Sequence, residues 1–222
     1  MNINEFLSKQ FRLSGEDTVL FIQENKVLIN GVNAVQRQTI LRSDGITING
    51  TDLRAAFEFV YYAFYKPRGI ECTLNRDVEH NLLSVLSINE YVFPIGRLDK
   101  ESEGLLILTN DGTLYKNIAL ADFYKEKEYV VEVDKVLLVE DLNHLSEGVV
   151  IKGQKTRPAT VKLITETSFN IVLTQGINRQ IRRMCYKLGY EVKSLKRIRV
   201  MNLTLGNLKS GDLIKIKASD IV

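Results

Sequence analysis

The sequence predicts an α+β protein in two parts: a small N-terminal module over residues 1–55 and a larger domain over residues 56–222 built on a mixed, mostly antiparallel sheet. Three observations carry that expectation. Short β-rich runs are joined by hairpin-type turns, which is how antiparallel sheets read; doubly wound parallel sheets alternate strands with helices instead. A chain of 222 residues suits one medium domain and one small one. The charge is split along the chain. Residues 1–50 carry 5 Lys+Arg against 5 Asp+Glu, residues 51–150 carry 10 against 18, and residues 151–222 carry 15 against 4, which gives 0, −8 and +11. A basic block of that size points to a polyanionic partner.

In the module, Ile3, Phe6 and Leu7 have helical spacing. Ser14 caps a second helix with Asp17 in its first turn, and Val19, Leu20 and Ile22 give it an apolar side. Residues 26–29 read as a strand closed by Asn30-Gly31, a hairpin-type turn. Ser43-Asp44-Gly45 turns into Ile46-Thr47-Ile48, which Asn49-Gly50 ends. Residues 51–59 read as a linker and entry to the second domain.

There, residues 60–64 read as a strand, and Tyr65-Lys66-Pro67-Arg68-Gly69 as a turn. Lys66 and Arg68 either solvate that turn or contact phosphate. Residues 81–86 suggest a short helix. Residues 113–121 suggest another, with Leu114, Ile118 and Ala121 inward. A β-rich run follows at 130–134, then a helix over 141–145 that Gly148 ends. Residues 159–164 and 169–174 form a hairpin pattern. The last helix starts at Asn178 as N-cap and stops at Gly189. Its Ile181, Met184, Cys185 and Leu188 share one face, and Arg179, Arg182, Arg183 and Tyr186 another.

The stretch that organises the chain is residues 94–112. Gly96-Arg97-Leu98-Asp99 sets a basic and an acidic side chain two residues apart in a tight turn. Leu105-Leu106-Ile107-Leu108 is a continuous apolar run too short for a typical helix, so it reads as a strand buried on both faces. Asn110-Asp111-Gly112 ends it. A charged loop is thereby anchored in a core. On composition alone it is a surface loop in which Arg97 and Asp99 form a modest exposed pair.

Gly-Arg-Leu-Asp, four residues, then Gly-Leu-Leu-Ile-Leu-Thr-Asn-Asp-Gly resembles the signature of the RsuA/RluB/RluE/RluF family of pseudouridine synthases. The resemblance implies that Asp99 is the catalytic nucleophile. Lys66-Pro67-Arg68-Gly69 is similar to another family feature, with Tyr65 where the family commonly has Asn. Lys127-Glu128-Tyr129 before a strand resembles the segment of the family's active-site tyrosine, which places that role on Tyr129. Gly176-Ile177-Asn178-Arg179-Gln180-Ile181-Arg182-Arg183-Met184 resembles its second signature. By that match Arg182 pairs with Asp99. Residues 189–192 and 197–202 resemble the F branch of the family in particular. More weakly, residues 1–50 resemble an S4 RNA-binding domain, but Glu16 and Asp17 stand where basic residues usually open its second helix.

The resemblance implies isomerisation of a uridine to pseudouridine in structured RNA, in 23S ribosomal RNA or also a transfer RNA, after the base is flipped out. No atoms enter or leave, so no cofactor and no metal are expected. Arg97 is the candidate to fill the flipped base's place. Lys66, Arg68, Arg179, Arg183, Lys193, Lys196, Arg197 and Arg199 are the other candidate RNA contacts, and residues 193–199 are expected to track phosphates. Two other readings compete. One is a non-catalytic RNA-binding protein that keeps the fold. The other is an unrelated hydrolase that uses Asp99 with Glu101 or Glu103.

A hydrophobic fraction of 45% and a charged fraction of 26% are those of an ordinary globular protein. No signal peptide or membrane span is read, and Cys72, Cys185, His80 and His144 show no metal spacing. A cytoplasmic monomer with no membrane association is expected.

Overall fold

The computed structural model describes residues 1–221 except residues 12, 42, 55–57 and 120–124. The chain divides into two compact units, Met1–Phe59 and Val60–Val222.

The first unit holds helices α1 (Ile3–Phe11) and α2 (Gly15–Glu24) and strands β1 (Val27–Ile29), β2 (Val32–Asn33), β3 (Ile46–Ile48) and β4 (Thr51–Arg54). Ser14 Oγ accepts from the Asp17 N–H at 3.1 Å and so starts α2. Asn30 and Gly31 both have positive φ, as do Asn49 and Gly50. These two turns close the β1–β2 and β3–β4 hairpins. The antiparallel order is β2-β1-β3-β4. Ile3 and Leu7 of α1 pack on Val27, Ile29, Ile46 and Ile48. Residues 51–54, expected as linker, are instead the return strand of a hairpin, because Asn49-Gly50 folds the chain straight back on β3.

The second unit is built on one nine-stranded sheet. Its first elements are β5 (Tyr61–Lys66), β6 (Phe93–Ile95), β7 (Glu103–Thr109), α3 (Gly112–Ala119), β8 (Lys127–Val133) and α4 (Val139–Glu147). A two-stranded hairpin, β9 (Val150–Ile151) and β10 (Gln154–Lys155), follows. Then come β11 (Thr160–Thr165), β12 (Ser168–Leu173), α5 (Gln180–Lys187), β13 (Val192–Val200), β14 (Leu203–Thr204) and β15 (Leu213–Ile216). The order is β11-β12-β8-β13-β7-β5-β15, with β6 beside β7 and β14 beside β13. Among the described residues, the strands of this sheet pair antiparallel except β13 with β7, where Lys196 faces Glu103 and Arg197 faces Gly104. The fold is therefore mixed α+β, with a mostly antiparallel sheet.

Strands β5 and β7 are buried on both faces. Ala63, Tyr65, Leu105 and Ile107 pack with Leu114 and Ile118 of α3. Tyr62, Phe64, Leu106 and Leu108 pack with Cys72, Leu82 and Val92 on the other side. That double burial is why the run is continuously apolar. Ala121, expected inward on α3, lies outside the described residues. The helix expected over 81–86 is a single 3-10 turn, Leu82–Ser84, capped by Asn81 Oδ1. At the other end of the sheet, Leu145 of α4 and Ile181, Met184 and Cys185 of α5 pack on Val131, Phe169, Ile171 and Leu195.

At Gly104 (φ +107°) a side chain is excluded: its Cβ would lie 2.2 Å from the Arg197 carbonyl oxygen. The glycine lets β7 and β13 approach where their only parallel contact forms, and this is where the site stands.

Candidate active site

Residues 96–102 join β6 to β7, and their backbone is fixed before any reactive side chain is considered. The Ser102 N–H donates to the Asp99 carbonyl at 3.0 Å, and the Gly69 N–H donates to the Lys100 carbonyl at 2.7 Å. Arg197, only 2% exposed, donates from Nε to the Leu105 carbonyl at 2.7 Å and from Nη1 to the Arg97 carbonyl at 3.4 Å. One buried guanidinium thus holds the chain on both sides of Asp99. A side chain on such a loop is held in place instead of sampling solvent.

The loop forms one wall of a cleft of about 570 Å³ lined by Asp99, Arg97, Glu101, Lys127, Tyr129 and Arg179 among others. Asp99 is 27% exposed, within reach of a substrate and still partly shielded. Arg179 lines the cleft from the start of α5. Its Nη1 lies 3.8 Å from Asp99 Oδ2 and 2.7 Å from Glu101 Oε2. That guanidinium holds the Glu101 carboxyl below its usual range, mainly through their hydrogen bond.

Arg179 sits in the left-handed region, φ 55° and ψ 36°, which costs a non-glycine residue about 1 kcal/mol or more. Its neighbours hold it there. The Ile177 N–H donates to Gln180 Oε1 at 3.0 Å, and the Gln180 N–H donates to the Ile177 carbonyl at 3.0 Å. Asn178, expected as the N-cap, accepts from Arg183 instead: Nε to its carbonyl at 3.0 Å and Nη2 to its Oδ1 at 3.4 Å.

The expected Asp99–Arg182 ion pair is not formed. Arg182 Nη1 donates to the Val192 carbonyl at 3.1 Å, and Nη2 to the Glu101 carbonyl at 3.2 Å and Ser102 Oγ at 3.4 Å. Arg179 and Arg182 share a helix face, but Arg182 is nearly one turn further in and meets the backbone where β7 and β13 begin. It fastens the loop that carries Asp99, and Arg179 supplies the nearby charge.

Tyr129 lines the same cleft from β8, half-buried, with its strand neighbours Ile171 and Arg197 on either side. Lys127, two residues earlier and so on the same strand face, lines it too. Burial, reinforced by the charge of Arg197, pushes the Lys127 ammonium down to about 8. Lys127 was not among the expected site residues, although its spacing from Tyr129 already put the two side chains together.

Several expected phosphate contacts have other work. Lys66 is fully buried and donates to the carbonyls of Pro67 and Ile70, each at 2.8 Å. Burial pushes it down to about 8. It ties the turn from inside, because β5 runs on through residue 66 instead of ending at 64. Arg199 is neutralised by Glu126 at 2.9 Å and Glu128 at 2.6 Å. Lys193 pairs with Glu191 at 2.8 Å, and Lys196 is half-buried over the Tyr65 ring. With Arg197 buried as well, residues 193–199 are not a free basic track. The alternation of β13 sends part of its charge inward. Arg68 is exposed and donates to the Lys193 carbonyl at 3.2 Å; Arg97 is exposed at the cleft wall.

Residues 60–187 match the family model described as RNA pseudouridylate synthase. The chain is 38% identical over 214 residues to the dual-specificity RNA pseudouridine synthase RluF of Escherichia coli (strain K12), across 96% of this chain and 74% of that protein. It is 33% identical over 209 residues to the ribosomal large subunit pseudouridine synthase B of Bacillus subtilis (strain 168), across 90% and 85%. A crystal structure of a pseudouridylate synthase shares the fold with a TM-score of 0.70 at 24% identity, across 100% of this chain and 98% of that one.

Proposed function

The chain belongs to the RNA pseudouridylate synthase family and is an RNA pseudouridine synthase, and from that premise we propose that Asp99 is its catalytic nucleophile and that its target uridine lies in 23S ribosomal RNA or a transfer RNA. The observation that carries the proposal is the placement of Asp99: partly shielded in the cleft, 3.8 Å from the Arg179 guanidinium, on a loop that Arg182 and Arg197 hold by its carbonyls.

The reaction breaks the N1–C1′ bond, turns the base and joins C5 to C1′; one proton leaves C5 and one is taken up at N1. Positive charge grows on the sugar as N1–C1′ breaks, and an ionised carboxylate beside it stabilises that charge. Arg179 stands beside that carboxylate as a fixed positive charge, 3.8 Å away. Tyr129 stacks on the base and acts in proton transfer at C5. A uridine in folded RNA leaves its stack to reach this cleft, and Arg97 on the cleft wall fills the vacated space.

Residues 1–55 act as an S4-like RNA-binding module, supported by two helices followed by a small antiparallel sheet. The catalytic domain follows. Cys72 and Cys185 are both free and buried, which suits the reducing cytoplasm. Among the described residues no helix is long and apolar enough to cross a membrane. Pseudouridine mapping of total RNA from cells with and without the protein tests the target. A site that disappears with the protein, in either RNA class, supports the proposal; an unchanged map contradicts it.

A further inference from the structure

A second, open groove of about 450 Å³ runs along α5, beside the cleft. Arg179 lines both. Five cations line the groove, including Lys152, Arg183 and Lys187, and among the described residues no carboxylate does. In the middle of this charge stands Tyr186, 78% exposed. An aromatic ring left bare on a cationic surface gains nothing from the core. It does offer a flat face with cations around it, the combination that holds single-stranded nucleic acid. Tyr186 lies two turns along α5 from Arg179, about 10 Å by the helical rise. Across the groove, Lys152 sits in the left-handed region (φ 51°) at the tip of the β9–β10 hairpin.

The geometry points to a subsite for an unpaired nucleotide flanking the target uridine. Its base stacks on Tyr186, and the adjoining phosphates lie on Lys152, Arg183 and Lys187. The choice of RNA as occupant rests on the isomerase reading above. The chemistry of the groove chooses single strands, since bases inside a duplex have no free face for the ring. An acidic peptide would use the cations but not the aromatic face, and the test separates the two.

Binding is measured by fluorescence anisotropy with the full chain carrying Asp99→Asn, so that no turnover intervenes. One probe is a hairpin RNA with an oligouridine loop. The other is the same hairpin with abasic nucleotides on either side of the central uridine. Tyr186→Ala is expected to weaken binding of the intact hairpin about tenfold, the scale of one base–aromatic stack. Tyr186→Phe should stay within about twofold, because the ring face is kept. On the abasic hairpin the three proteins should bind alike. Equal losses on both hairpins, no loss on the intact one, or no binding of either overturns the stacking subsite.

Lys152→Gln and Lys187→Gln should each flatten the log–log salt dependence by about 0.7, the value for one single-strand phosphate contact. An unchanged slope overturns the phosphate assignment. Pseudouridine formation by the wild-type chain is scored separately. A chain that binds as described yet forms no pseudouridine in any RNA overturns the isomerase reading and leaves the groove standing.

Discussion

Arg179 Nη1 lies 3.8 Å from Asp99 Oδ2 while it also holds Glu101 Oε2 at 2.7 Å, so one guanidinium serves two carboxylates that line the cleft. Removing it leaves the carboxylates to repel each other and takes away the cation nearest Asp99. Arg179→Gln should therefore slow pseudouridine formation about tenfold or more in single-turnover assays, within the range seen when one preorganised charge is lost. A rate equal to wild type would show that Asp99 needs no help from this residue.

The backbone at Arg179 gives a stability prediction that is independent of activity. Alanine at φ 55° keeps the steric strain, and glycine does not. Arg179→Gly should be more stable than Arg179→Ala by about 1 kcal/mol in urea unfolding, although both lose the charge. If the alanine variant is the more stable, the left-handed conformation is not strained here.

Lys66 predicts a pH dependence. Its ordinary value is 10.5, and burial brings it to about 8 in the folded chain. Below about pH 8 both states carry the proton, and the folded chain bears the cost of the buried charge. Between about 8 and 10.5 the unfolded chain still holds the proton and the folded chain has released it, so the stability contribution of Lys66 rises with pH. Tyr61 and Cys185, both pushed up to about 12, act in the opposite sense. They are common to wild type and Lys66→Met and cancel in the difference. The stability of wild type minus that of Lys66→Met should grow from pH 8 to pH 10.5; a flat or falling difference contradicts the buried amine.

Gly104 is the contact point of the two strands behind the active loop. Gly104→Ala puts a Cβ 2.2 Å from the Arg197 carbonyl at φ +107°. It should cost about 3 kcal/mol or more of unfolding stability, since backbone cannot move aside as a side-chain end can. A loss below about 1 kcal/mol would mean that β13 is free to shift.

The legible parts of this protein were local ones. Asn30-Gly31 and Asn49-Gly50 announce hairpins because positive φ at both positions is written in the residue types. The run Leu105 to Leu108 announces double burial because no polar residue interrupts it. Composition could not show which arginine of a helix face reaches a carboxylate some 80 residues away. That depends on where α5 lies against the loop, and one helical turn separates Arg179 from its neighbour in the motif. The sequence also displays charge without its partners. Lys66 and Arg197 count toward a basic surface until the carbonyls of Pro67, Ile70, Leu105 and Arg97 are seen to take their donors. The parallel contact of β13 with β7 joins segments 93 residues apart at Lys196 and Glu103, beyond any local signal.

The central claim is that Asp99 is the reacting group and that the surrounding cations serve it. The most direct measurement pairs single-turnover pseudouridine formation with binding of the same mapped RNA, for wild type and Asp99→Asn. The carboxylate carries the chemistry, and phosphate contacts carry most of the affinity. The account predicts no detectable pseudouridine from Asp99→Asn, with RNA affinity within about threefold of wild type. Pseudouridine formed at a rate near wild type by Asp99→Asn would contradict it.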